Sequence, residues 1–132
     1  MVIVPEAARR CLTMLAAVAA IGCSDSLSPD DFYGIWGDEG VRLTLSPTQA
    51  RLETSCWAGN LAMPLHVDGE EFTAVGTLLQ QGGVAGGDES RIVTATGELD
   101  GDVLRLTIDP ASMGLGPYTL HRNAQVTIPG CP

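Results

Sequence analysis

Val41-Arg42-Leu43-Thr44-Leu45-Ser46-Pro47-Thr48 is the stretch that decides the fold. Its apolar residues occupy every second position up to a turn signal, the period of a strand with one face in a core and the other in water. The alternation returns in Leu104-Arg105-Leu106-Thr107-Ile108, and no stretch from Phe32 onward sustains a helical period. Pattern and turn chemistry together place strands near residues 40–46, 49–55, 60–67, 71–79, 91–98, 102–109, 117–122 and 125–129. Asp100-Gly101 and Asp68-Gly69 are hairpin signals, and Ser46-Pro47-Thr48 and Asn123 mark further turns. Connections this short join antiparallel neighbours. The expected fold is all-β, a small eight-stranded antiparallel up-and-down barrel.

The beginning of the chain follows a different logic. Arg9-Arg10 precede an apolar run from Cys11 to Ile21, and the run ends in Ala20-Ile21-Gly22-Cys23. A basic head, an apolar segment and a small residue before a cysteine read as a secretory signal peptide, and the run is shorter than the roughly 20 residues a bilayer core demands. Ile21-Gly22-Cys23 resembles the lipobox of bacterial lipoproteins, with Ala20 where that family usually has Leu. The resemblance implies that Cys23 is acylated, becomes the mature N-terminus and ties the protein to a membrane of the bacterial cell envelope. Ser24, by the family's sorting rule in enteric bacteria, favours the outer membrane, on its periplasmic side or at the cell surface. The expected organisation is a signal-peptide helix over 1–22, a lipidated cysteine with a flexible tether over 23–33, and a β-barrel domain over 34–132. Residues 24–31, Ser-Asp-Ser-Leu-Ser-Pro-Asp-Asp, carry too little apolar surface to fold alone.

Charge and cysteines bound the partners. The 132-residue chain has a net charge of −9, and loss of Arg9, Arg10 and Glu6 with the signal peptide takes it to −10. Such acidity excludes nucleic acid and electrostatic docking on anionic lipid, and any steered protein partner is basic. Once Cys11 is removed and Cys23 lipidated, Cys56 and Cys131 remain as a pair in an oxidising compartment, where a disulfide is the expected outcome. Cys56 follows the second expected strand and Cys131 the eighth, so their bond favours a closed barrel over an open sheet. Strand parity then gathers the disulfide, the long Gln80 to Ser90 and Asp109 to Gly116 connections, and the start of the domain at one end.

Gly34-Ile35-Trp36 resembles the Gly-X-Trp motif that opens the first strand of lipocalins and recurs in avidins. The resemblance implies an eight-stranded barrel with Trp36 as a plug at one end. Lipocalins place their long entrance loop between the first two strands, where this chain has a tight turn, so the ligand cup is not carried over. Arg122, which would stack on that tryptophan in the family, is expected at the opposite end. Trp57, Met113 and Leu115 fall in the long-loop end and form the candidate interaction surface.

No constellation points to catalysis. His66 and His121 are expected to face solvent, and the acidic turns lack the spacing of a calcium loop. The serines have no nucleophile elbow and the glycine-rich 80–87 segment no lysine. The reading is a non-enzymatic cell-envelope lipoprotein, a binding or interaction module needing no metal or cofactor. Two alternatives are a periplasmic inhibitor of a basic hydrolase such as lysozyme, and a lipocalin-like carrier of a small apolar ligand.

Overall fold

The computed structural model describes residues 27–81 and 89–131. The expected signal-peptide helix, the expected lipidation site Cys23 and the first part of the expected tether lie outside the described residues. Among those described, nine strands follow a short 3-10 turn at Pro29–Phe32: β1 Gly34–Asp38, β2 Val41–Leu45, β3 Ala50–Thr54, β4 Trp57–Leu61, β5 His66–Asp68, β6 Glu71–Gln80, β7 Ser90–Asp100, β8 Val103–Asp109 and β9 Tyr118–Arg122. Successive strands pair antiparallel except β4 with β5; β4 pairs instead with β6, and β1 pairs with β9 to close the ring. The result is a closed eight-stranded antiparallel barrel, with the three-residue β5 continuing the line of β4 along the first residues of β6.

The expected alternation is borne out in β2, where Val41, Leu43 and Leu45 face inward and are buried, and in β8, where Leu104, Leu106 and Ile108 do the same. Phe72, Leu78, Val93 and Leu120 complete a lumen filled by side chains. Burying each such side chain stabilises the fold by roughly 1.5 to 3 kcal/mol.

Two strands differ from expectation. Residues 125–129 form no strand, and the eighth wall of the barrel is Gly34–Asp38 instead. Asn123 takes a left-handed conformation (φ 60°) that ends β9. Beyond it the chain runs over the outside of β1, with Val126 packed on Gly37 so closely that a Cβ there would lie 2.8 Å from its methyl. The alternation of half-buried Ala124, Val126 and Ile128 reflects packing against a wall, not pairing within one. The expected strand over 60–67 is likewise divided between β4 and β5 by the bend around Pro64, whose ring has no N–H for a ladder.

The added first strand shifts parity by one. Cys56 and Cys131 are bonded, with Cα atoms 4.7 Å apart, and they share an end with the β1–β2, β6–β7 and β8–β9 connections. The start of the domain, however, lies at the opposite end with the β2–β3, β4–β6 and β7–β8 connections. Part of the segment expected as a flexible tether packs on the barrel. Leu27 N–H donates to the Gly69 carbonyl (3.0 Å) and Phe32 is fully buried, so residues from Leu27 on belong to the barrel.

Closure imposes close approaches that only glycine allows. At the β4–β6 seam, a Cβ on Gly59 would collide with the Thr77 carbonyl and lie 2.9 Å from Leu78 Cα, and one on Gly76 would lie 2.5 Å from the Asn60 carbonyl oxygen. Gly59→Ala is therefore expected to cost about 2 kcal/mol or more in urea denaturation. Gly130→Ala, where a Cβ meets nothing within 4 Å, should stay within about 0.5 kcal/mol of the parent.

Candidate functional site

The end at which the chain enters is sealed by interlocking aromatic and charged groups. Trp36, fully buried in β1, donates its indole N–H to the Phe32 carbonyl at 2.9 Å. Phe32 meets Phe72 edge to face, ring centroids 5.2 Å apart, and Phe72 lies over Gly97 across the β6–β7 ladder, where any side chain would strike its ring. Above Trp36 stands Arg122 of β9, its guanidinium carbon 4.2 Å from the ring centroid. The same guanidinium donates to the Tyr33 carbonyl (2.9 Å), the Asp31 carbonyl (3.2 Å) and the Asp102 carboxylate (3.1 Å). This corrects the expected separation of Arg122 from Trp36. Because Gly34–Asp38 is itself a strand and Trp36 pairs with Arg122 in register, both residues occupy one end. The signal for this strand was present in Asp38-Glu39-Gly40, a turn between Trp36 and Val41 with Gly40 at φ 76°.

The opposite end holds the sequence-derived candidates. Trp57 opens β4, while Met113 and Leu115 lie in the β8–β9 connection, on another side of the barrel. All three are half-buried and packed against the core cluster, so they cap the lumen and show water only part of their surface. The turn beneath them is tight. Thr54 Oγ1 accepts from Trp57 N–H and donates to the Trp57 carbonyl, both at 3.1 Å, and Gln81 N–H donates to the Cys56 carbonyl at 2.8 Å. Nearby Tyr118 is half-buried, and desolvation pushes its phenol above the ordinary range.

Charge is distributed unevenly. Around the chain-entry end, Asp68, Glu71 and Glu98 stand side by side in the β5–β6–β7 register, with Arg105 reaching Glu98 at 3.3 Å. Carboxylates directly opposite one another destabilise a sheet slightly, a cost this rim bears. On the outer wall Arg42 grips both oxygens of Glu53 (3.1 and 3.2 Å) and holds that carboxyl below its usual range. His66 and His121 are exposed. Among the described residues no three His, Cys, Asp or Glu side chains gather as metal ligands.

Two variants probe these contacts. Arg122→Ala removes the cation–π contact and the donors to two carbonyls, and should cost about 2 kcal/mol by urea denaturation, with Arg122→Lys recovering only part. Because the hydrogen bonds from Arg42 depress the folded-state pKa of Glu53, its contribution is present above the unfolded value of about 4.3 and lost as pH falls through the folded one. Glu53→Gln should thus cost about 0.5 to 1 kcal/mol at neutral pH, and the gap to the parent should vanish in acid. No protein-family model matches this chain, and comparison with curated proteins and with solved structures found no match either.

Proposed function

We propose that this chain is a lipid-anchored, non-enzymatic module of the bacterial cell envelope that binds on the outer surface of its barrel. The observation carrying this reading is the packed lumen: Val41, Leu43, Leu104 and Leu106 are fully buried there. Phe32 and Trp36 seal one end, and Trp57, Met113 and Leu115 pack over the core at the other. A lumenal ligand would have to displace these groups, which weighs against the carrier alternative.

The anchor part of the reading rests on the lipobox sequence. Only three residues lie between Cys23 and Leu27, and the four steps along the chain reach at most about 14 Å. A lipid on Cys23 would hold the Trp36–Arg122 end near the bilayer, and its acidic rim would be repelled by anionic headgroups. The disulfide end would then point away from the membrane. Asp68, Glu71 and Glu98 in register also favour a second reading, inhibition of a basic hydrolase, by giving a cationic partner a focused carboxylate row.

Expression of the full chain in bacteria with a labelled fatty acid tests the anchor. Wild type should incorporate label and sediment with membranes, and Cys23→Ser should lose both; an unlabelled wild type, or a variant equally membrane-bound, would contradict the anchor. For the second reading, lysozyme binding titrated with salt is decisive. A complex that weakens steeply with salt and with Glu71→Gln supports inhibition, and no complex at low salt removes it.

A further inference from the structure

We propose that the outer wall over the β4–β6 seam is a binding groove for a single-chain carboxylate amphiphile, its tail lying on Val75, Leu79 and Ile92 and its carboxylate on Arg51. The proposal deepens the outer-surface reading and is independent of the lipid anchor.

The register builds the groove. Arg51 of β3 stands opposite Asn60 of β4, Asn60 opposite Thr77 of β6, and Thr77 opposite Ile92 of β7, an unbroken cross-strand row on the solvent face. Leu79 and Val75 flank Thr77 on the same face, next to Ala58 and Ala62. Val75 and Leu79 are each 51% exposed and Ile92 is 73% exposed, three of the four large aliphatic side chains left open to water among the described residues. They are not scattered. All three line one recess of about 630 Å³ whose floor is the glycine-pinched seam of Gly59 and Gly76 and whose wall includes Arg51. That volume falls within the roughly 300 to 1,000 Å³ of small-ligand sites. It is also a local feature, far from the roughly 800 Å² per partner that a stable protein interface covers, so the fit is to a small molecule.

Charge identifies the head group. Of the five described arginines, Arg42, Arg91, Arg105 and Arg122 each form an ion pair, with Glu53, Glu89, Glu98 and Asp102. Arg51 forms none among the described residues. Its neighbour Glu53 is engaged by Arg42 through both oxygens. In an acidic chain, a guanidinium with no ion pair among the described residues, beside an apolar groove, offers one bidentate site to a ligand carboxylate. The Asn60 amide and Thr77 hydroxyl continue the polar track from it. The aliphatic side chains on either side would be covered by an alkyl tail, removing from water the apolar surface this wall now exposes.

The test uses the full chain and dodecanoate bearing a terminal diazirine, kept below its micelle-forming concentration, with adducts located by mass spectrometry after irradiation. Saturable labelling within β6 and the start of β7, displaced by unmodified dodecanoate, is expected. Arg51→Gln should raise the half-saturating concentration about tenfold, the value of a charge-assisted bidentate contact, with Arg51→Lys recovering part of it. The dodecanol analogue should label about tenfold more weakly, and Leu79→Ser with Ile92→Ser should cut labelling at least fivefold. Unchanged denaturation midpoints in the Arg51 variants show that binding, not folding, is being read. Labelling that does not saturate, that falls on lumen residues such as Leu43, or that is equal for acid and alcohol and indifferent to Arg51→Gln overturns the proposal. Cys23→Ser retains the groove, so labelling there without membrane attachment separates this proposal from the anchor.

Discussion

The contact on which the rest of the barrel depends is Arg122 over Trp36. One guanidinium covers the indole that plugs the barrel, satisfies two carbonyls of the incoming chain and reaches Asp102 in the β7–β8 turn. It joins β9 to β1 where only two residue pairs of ladder exist, Trp36 with Arg122 and Gly37 with His121. Side-chain contacts must supplement so short a seam. The buried Phe32 and the edge-to-face Phe32–Phe72 contact complete the seal from the opposite wall.

The second seam, β4 with β6, is held differently. Five residue pairs run along it, and Gly59 and Gly76 let the backbones approach to a distance that a side chain would forbid. The C-terminal segment, unable to join the ring, is instead fastened across it. Asn123 N–H donates to the Ile35 carbonyl (2.7 Å), Val126 packs on Gly37, and the Cys56–Cys131 bond clamps the far end. A crosslink spanning 75 residues restricts the unfolded chain and contributes on the order of 4 kcal/mol in the chain-entropy model. In a domain this small that is a large share of net stability.

Much of this was legible in the sequence. The period-two runs at Val41–Leu45 and Leu104–Ile108, the Asp-Gly turns and the Cys56–Cys131 pairing gave the all-β class, closure and the strand count. What alternation could not distinguish was a strand within the wall from an extended segment lying on it. Val126 and Ile128 alternate as a strand would, while Gly34-Ile35-Trp36-Gly37-Asp38 contains two glycines and no clean alternation, yet it forms β1. Exchanging one for the other preserved the count of eight and reversed the end at which the chain enters. Nor could local pattern reveal the outer groove, since Ile92 is an apolar residue in a polar phase, and its meaning depends on the β6 and β4 neighbours that register supplies.

A packed lumen and two sealed ends together direct attention to the outer wall. That assignment stands on β1, not residues 125–129, being the strand that closes the ring. The most direct measurement is solution NMR of the full chain, combining cross-strand NOEs with amide exchange. NOEs from the Trp36 ring to the Arg122 side chain, backbone NOEs between Gly37 and His121, and slow exchange within β1 are expected. Absence of those NOEs, with β1 amides exchanging at free rates and 125–129 protected as a ladder, would contradict that assignment.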